Sequence, residues 1–461
     1  MKIENFQSQV CVCAASTNLT CAKGRAEMEL NMKIALMTNN YKPVTAGVPI
    51  SIERLARGLE ILGHQVTIFA PTYEEQQEEN NVIRYGTLLK RFVGGVVLPN
   101  PFDLRIGKAF RKETYDIIHV HHPMLVGRTA VRLSRKYRIP LVFTYHTRYE
   151  QYLGYAGVVK KMEQKAADGD GFMARAAASS LHLVKDRMVP AYLHTFLKHC
   201  DYVFAPTAGM EQYLTQVCKV EPERLGVLPT GIEKAGFVVT PQEKQQIRSR
   251  YGAEDMPLLL TVSRLSHEKN VSFLLEGLAR FKARYGSRFR MLMVGDGDDR
   301  VSLQERCAEL GLSEQVVFTG TVANGKLPPY FAAADAFLFA SRTETQGIVV
   351  LEALAGATPV IAVAASGVSD LVQDGVNGIL TGEDVEEYAD RLAWYLYQDP
   401  SDRLAMEQAA LETALEYSEE AVAQKASCYY NKVVAMQTST WKSEGRQTYG
   451  KWTVSYPGGG R

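Results

Sequence analysis

A doubled alternation of short apolar runs with helical segments restricts the fold of this chain more than any other feature. It starts at Met32, where KIALMT (33–38) reads as a buried strand. A helix follows, with Ile52, Leu55, Ala56, Leu59 and Leu62 on one face, Glu53 four residues before Arg57, and Gly63 placed to cap its end. QVTIFAP (65–71) is the next strand. Two strands joined through a helix must run parallel, because a hairpin needs no such crossover. The alternation continues through DIIHVH (116–121), LVFTYH (141–146), YVFAPT (202–207) and GVLPTG (226–231). It then breaks at a polar stretch, 235–256, with Pro241 and Pro257 near its ends. A second series restarts with LLLTVS (258–263), RMLMVG (290–295), VVFTG (316–320), AFLFAS (336–341) and PVIAVA (359–364). Two such series, each about 180–200 residues, predict two doubly wound α/β domains facing across a cleft, with ligands at the strand carboxyl ends.

The expected division is therefore an N-terminal extension at 1–31, a first Rossmann-like domain at 32–234, a linker at 235–256 and a second such domain at 257–418. A helix at 419–437 is expected to cross back onto the first domain, with Ser418 as its N-cap and Glu419 and Glu420 in its first turn. The polar, Gly-rich segment 438–461 is expected to be a disordered tail.

Bulk properties remove several function classes. With 461 residues, 46% apolar and 22% charged, the chain can bury two cores without staples. A net charge of +1 supplies no global attraction to nucleic acid. The seven cysteines show no framework spacing, which fits unpaired thiols in a reducing, cytoplasmic setting. No apolar run approaches the ~20 residues needed to span a bilayer.

The chemistry concentrates in SRTETQGIVVLEALAGATPVIAVAASG (341–367). Glu344 and Glu352 stand eight positions apart, and Gln346, Gly347 and Ile348 should open a helix between them. Free N–H groups at that helix mouth suit a diphosphate, and Gly347 lets a ligand approach the backbone. Glu352 then lies about 9 Å further along at 1.5 Å per residue. That reach suits one carboxylate on a ribose and the other on a sugar beyond the diphosphate. In TVSRLSHEKN (261–270), Arg264 and Lys269 follow a strand, and their charges match those of a diphosphate leaving group.

These residues resemble the family-four retaining glycosyltransferases of GT-B fold over about 32–435. The resemblance rests on Glu344 to Glu352 as the Glu-x7-Glu motif, on Arg264 and Lys269, and on the GDG turn at 295–297. It implies that Glu352 holds the donor's ribose, that Glu344 with the following amides holds the transferred sugar, and that Arg264 and Lys269 hold the diphosphate. It also implies that Gly47, in the loop NNYKPVTAGVPIS (39–51), approaches the donor phosphate, and that His121 lies beside the transferred sugar. Metal-independent transfer follows from it, with Asp296-Gly297-Asp298 read as a turn that lines the nucleoside base and no cofactor expected.

His119, His121 and His122 cluster at one strand end, and His146 ends the next. On the acceptor side, THTRYEQYLGY (144–155), with His146, Arg148 and Tyr149, resembles bacterial 1,2-diacylglycerol 3-glucosyltransferases. That implies glucose from UDP-glucose, a lipid hydroxyl as acceptor, and work at the inner face of the cell membrane. The basic span 148–199, mixed with Tyr, Leu, Phe and Met, suits an anionic membrane surface. Two alternatives stay open: the same donor chemistry with a soluble sugar or cell-wall precursor, and a non-catalytic nucleotide-sugar-binding protein.

Overall fold

Parallel strands organise both halves. The structure, a computed structural model, describes residues 31–44, 46–90, 97–149, 187–365 and 367–444. The N-terminal extension apart from Asn31, the central part of the basic span 148–199 and the tail beyond Glu444 lie outside the described residues.

The first sheet has the order β3-β2-β1-β6-β7-β8-β9, formed by β1 (Lys33–Met37), β2 (Gln65–Pro71), β3 (Val82–Tyr85), β6 (Ile117–Val120), β7 (Leu141–Thr144), β8 (Tyr202–Ala205) and β9 (Leu225–Val227). A small hairpin, β4 (Thr87–Leu89) and β5 (Leu98–Pro99), stands apart from it. The second sheet has the order β12-β11-β10-β13-β14-β15, from β10 (Leu258–Val262), β11 (Arg290–Val294), β12 (Val316–Gly320), β13 (Ala336–Phe339), β14 (Val360–Val363) and β15 (Gly378–Thr381). Every pairing within the two large sheets is parallel. Central strands such as β6, β7 and β14 are buried along their whole length, because helices cover both faces of each sheet.

In the first sheet, one face is covered by helices that include Leu104–Lys112, Val126–Tyr137 and Val189–Leu197. The other face carries Gly47–Ile61 and the closing helix Glu419–Glu444. That helix begins with Ser418 Oγ accepting the Ala421 amide at 3.2 Å. It joins the first sheet through a hydrogen bond of 2.7 Å between Tyr430 and His119 Nδ1.

Three expectations need correction. The stretch 235–256 is not an irregular linker: Pro241–Arg250 is a helix. Thr240 and Glu243 form a capping box, Pro241 sits at its first turn, and Ile247 is buried against the second domain. A single buried apolar side chain gave too weak a period to announce it. The closing helix continues to Glu444 rather than ending before a tail at 438. Four short strands were also not anticipated: β3 and β15 at sheet edges, and β4 and β5 of the separate hairpin.

Strand order reverses between β1 and β6 in the first sheet and between β10 and β13 in the second. Such switch points open a crevice at the strand carboxyl ends, where loops diverge to opposite faces. The loops that leave these four strands carry Gly47, His121, Arg264 and Glu344, so the topology itself gathers the predicted site.

Candidate active site

The second-domain side is built around two cation–carboxylate pairs. Beyond β10 the chain makes a tight turn, and Lys269 Nζ meets Glu344 Oε1 at 2.5 Å, both side chains mostly buried. Arg264, 61% exposed at its side chain, contacts Glu268 Oε1 at 2.9 Å. Burial raises the Glu268 carboxyl, but the Ser266 hydroxyl, Arg264 and Lys269 outweigh it and leave it below its ordinary range. Glu268 was not foreseen; its place four residues after Arg264 was the available signal.

The GDG turn holds this loop from behind. Leu265 N donates to Asp296 O at 2.9 Å, and Asp299 N donates to Leu265 O at 3.1 Å. A Cβ on Gly297 would stand 2.2 Å from Leu265 O, so only glycine allows the two backbones to meet. The Asp296 carboxylate accepts from Gly297 N at 2.8 Å and from Arg300 at 2.8 Å. The turn thus shapes the loop that bears Arg264. Among the described residues no group of three or more His, Cys, Asp or Glu is arranged to hold a metal ion.

Gly347 has a left-handed backbone, φ 75°, and opens the helix Ile348–Ala355 without a side-chain cap. Its leading amides are left without a side-chain cap, and helix starts of this kind suit anions. Ile348 Cδ1 lies 3.5 Å from where a Cβ on Gly47 would be, so the first-domain loop closes over this mouth.

On the first-domain side the histidines stack. The rings of His119 and His121 are 4.3 Å apart and those of His121 and His146 are 5.1 Å apart. His121 Nδ1 and His146 Nε2 share a hydrogen bond of 2.9 Å, while His121 Nε2 is buried with no partner. His119 is structural, bonded to Tyr430 and to Thr144 Oγ1 at 2.7 Å each. Burial lowers the His119 imidazole to about 3 and the His122 imidazole to about 4. Burial also holds His121 and His146 well below the usual imidazole range, so the cluster is neutral at physiological pH.

The halves are stitched together. Thr345 Oγ1 donates to His146 O at 2.8 Å, and Thr207 Oγ1 donates to Thr345 O at 3.3 Å. A continuous path of contacts therefore runs from His121 through His146 and Thr345 to Glu344 and Lys269. The Gln346 side chain is buried, accepting from Thr230 N at 2.7 Å and donating to Thr230 O at 3.1 Å, which ties the approach to that helix to the first domain. Tyr149 packs edge-on to Tyr145 at 5.8 Å, half-buried against the first-domain core, while Arg148 lies over the Tyr213 ring at 4.5 Å.

Glu352 lies on the helix as spaced, but it has a cross-domain partner. Arg54 Nη2 donates to its Oε1 at 2.7 Å, with side chains 13% and 14% exposed, and Arg54 Nη1 donates to Gly231 O at 3.1 Å. Burial raises the Glu352 carboxyl above its ordinary value and Arg54 opposes that rise. One carboxylate oxygen remains for a ligand hydroxyl. Arg54 was missed because nothing local distinguishes it from Arg57 on the same helix.

Comparison with known proteins agrees with this geometry. The family model described as Glycosyltransferase Family 4 matches residues 45–235, and that described as Glycosyl transferases group 1 matches residues 243–413. The chain is 33% identical to an alpha-monoglucosyldiacylglycerol synthase of Streptococcus pneumoniae over 76% of this chain and 75% of that one. It is 28% identical to the enzyme of the same name from Acholeplasma laidlawii over 77% and 86%. Among solved structures, Anabaena HepE in complex with UDP superposes with a TM-score of 0.65 at 19% identity, over 87% of this chain and all of that one. Sucrose-phosphate synthase of Thermosynechococcus elongatus superposes with a TM-score of 0.68 at 20% identity, over 88% and 100%. With a donor-type crevice between two Rossmann-like domains and these likenesses, the chain belongs to the family-four glycosyltransferases of GT-B fold, related to the bacterial alpha-monoglucosyldiacylglycerol synthases.

Proposed function

We propose that this glycosyltransferase transfers glucose from UDP-glucose, with retention of configuration, to a lipid hydroxyl such as that of diacylglycerol at the cytoplasmic face of a membrane. The observation that carries the donor half is the contact path from His121 to Lys269 across the crevice, ending at an uncapped helix mouth. The lipid half is supported by the names of the two synthases above. The membrane contact proposed here is peripheral; among the described residues no helix is long and apolar enough to cross a membrane.

On this reading the diphosphate lies against the amides of Ile348–Ala355, with Arg264 and Lys269 on its oxygens. Both cations must release their present carboxylates, Glu268 and Glu344, as donor enters. Glu344, freed from Lys269, accepts from hydroxyls of the transferred sugar. Glu352 accepts from the ribose through the oxygen that Arg54 leaves open. The bond between the sugar's anomeric carbon and the diphosphate oxygen then lengthens, and positive charge develops on the carbon. The acceptor oxygen bonds to that carbon from the leaving-group side, and its proton passes to the departing phosphate oxygen, giving UDP and the glycoside. The cations and amides act on charge that grows during this step, so they favour the transition state over bound donor. His121 is neutral and cannot add positive charge; its unpartnered Nε2 is suited to a sugar hydroxyl. Closure of the crevice excludes water.

The test is incubation with UDP-, GDP- and ADP-sugars, each with diacylglycerol in micelles or with a soluble sugar panel, read by mass spectrometry. A hexosyl-diacylglycerol formed with UDP-glucose is the expected product. Product only on soluble acceptors would remove the lipid reading and keep the donor chemistry. No product from any pair would favour a nucleotide-sugar-binding protein.

A further inference from the structure

The loop between β1 and the helix Gly47–Ile61 carries Gly47 to within contact of Ile348, at the mouth of Ile348–Ala355. The helix Gly47–Ile61 opens after Ala46 with no side-chain cap. Near the start of the loop, Asn39 Nδ2 donates to Met124 O at 3.0 Å. Among the described residues, the side-chain hold on its middle comes from Arg84 on β3, at the outer edge of the sheet. Arg84 Nη1 donates to Lys42 O at 3.0 Å and to Pro71 O, at the end of β2, at 3.1 Å. Its guanidinium lies over the buried ring of Tyr41 at 5.4 Å. Lys42 Nζ in turn meets Glu53 at 2.7 Å and Glu79 at 3.0 Å. Glu79 also accepts from Arg84 Nη2 at 3.4 Å. Glu53 belongs to the helix that Gly47 begins, so Lys42 and Glu53 bracket that glycine and are joined to each other.

Two facts argue that Arg84 serves the loop rather than the sheet. First, β2 and β3 already pair in parallel from Ile68 opposite Val82 to Pro71 opposite Tyr85, through their backbones alone. Second, a mostly buried arginine is a poor device for stability. The Arg84 side chain is 11% exposed, and its Nε is buried with no partner among the described residues. Burial lowers its guanidinium below the ordinary value, with Glu79 opposing. What this arrangement secures is a planar fork aimed at two backbone carbonyls, one of them in the loop.

We propose that Arg84, acting through the Lys42 carbonyl, is a positioning residue that keeps the Gly47 loop closed over the donor sugar and so directs that sugar to the acceptor hydroxyl rather than to water. The inference rests on the donor half of the proposed function. In the competing reaction a water oxygen bonds to the anomeric carbon and the bond to the diphosphate oxygen breaks. One proton of that water passes to the departing phosphate, giving free glucose and UDP. A loop held down keeps such a water out. A loosened loop admits it, while Arg264, Lys269, Glu344 and Glu352 remain in place to bind donor.

The test compares the full chain with Arg84→Met and Arg84→Lys. Transfer from UDP-glucose to diacylglycerol in micelles, release of free glucose with and without acceptor, and UDP affinity by calorimetry are measured for each. Both variants should bind UDP with an affinity close to wild type, which also shows that they fold. Transfer should fall about tenfold and the share of donor lost as free glucose should rise about tenfold, the scale of one lost charge-assisted hydrogen bond. Arg84→Lys should resemble Arg84→Met, because one ammonium cannot present a planar fork to two carbonyls. Lys42→Met keeps the carbonyl that Arg84 holds, so its rise in free glucose should be smaller. A purely structural Arg84 would lower the melting temperature and leave the ratio of glucose to glycolipid at the wild-type value; that result overturns the proposal. If Arg84→Met alone fails to bind UDP, the ratio in Arg84→Lys decides, and loss of UDP binding in both variants overturns the proposal as well. Wild type that turns over no UDP-glucose with any acceptor sinks the donor reading instead, so the two failures are distinguishable.

Discussion

Replacing Arg54 by glutamine should make donor binding depend on pH in a way that the parent's does not. Arg54 is the charged group that acts on Glu352 among the described residues, at 2.7 Å and with both side chains largely buried. Removing one partner of a buried pair leaves an uncompensated charge and costs about 3–5 kcal/mol. The variant relieves part of that cost by keeping a proton on Glu352. The sign follows directly. Burial already raises this carboxyl, Arg54 opposes the rise, and without Arg54 the carboxyl moves higher still. On the proposed reading a protonated Glu352 loses the charge that would hold ribose hydroxyls, and a hydrogen bond to a charged group is worth about 1.5–3 kcal/mol. UDP affinity in Arg54→Gln should therefore fall about tenfold or more below wild type at pH 6, and the gap should narrow as pH rises and Glu352 ionises. Arg54→Lys should recover most of the loss. Calorimetric titration of UDP between pH 6 and 8.5 reads this directly, with thermal melting alongside. A loss of affinity that is the same at every pH would mean that Arg54 acts only by holding the domains, and a variant with unchanged melting and unchanged affinity would refute the coupling altogether.

Other outcomes follow from the same geometry. Arg264→Ala should lower kcat about a hundredfold with a smaller effect on donor KM, because the exposed guanidinium acts mainly on charge that develops as the diphosphate leaves; full kcat would rule that role out. Gln346→Leu strands the Thr230 amide and carbonyl in the interior and should cost about 1–3 kcal/mol per unpaired group, seen as a lower melting temperature. An unchanged melt would show that water replaces the side chain. Transfer in excess chelator should match transfer in Mg²⁺, since Arg300 and the Gly297 amide already hold the Asp296 carboxylate. Activity restored only by added metal would return Asp296 and Asp298 to consideration as ligands.

The alternation of buried strands and amphipathic helices was legible because its cause is local: side chains repeat every two or 3.6 residues whatever lies opposite. Parallel pairing, two domains and a crevice at the strand ends follow from that alternation. The spacing of Glu344 and Glu352 was legible too, although only Glu352 lies on the helix Ile348–Ala355 and Glu344 stands in the loop before it. The helix Pro241–Arg250 escaped because it is held by its caps and a single apolar contact rather than by a stripe. What the linear chain could not disclose is which groups meet across the crevice. Arg54 reaches Glu352 over 298 positions and Gln346 reaches Thr230 over 116. No periodicity spans such distances, because those pairings depend on how two separately folded sheets are set against each other. That packing ties the Gln346 side chain to Thr230 and gives Glu352 a cationic neighbour.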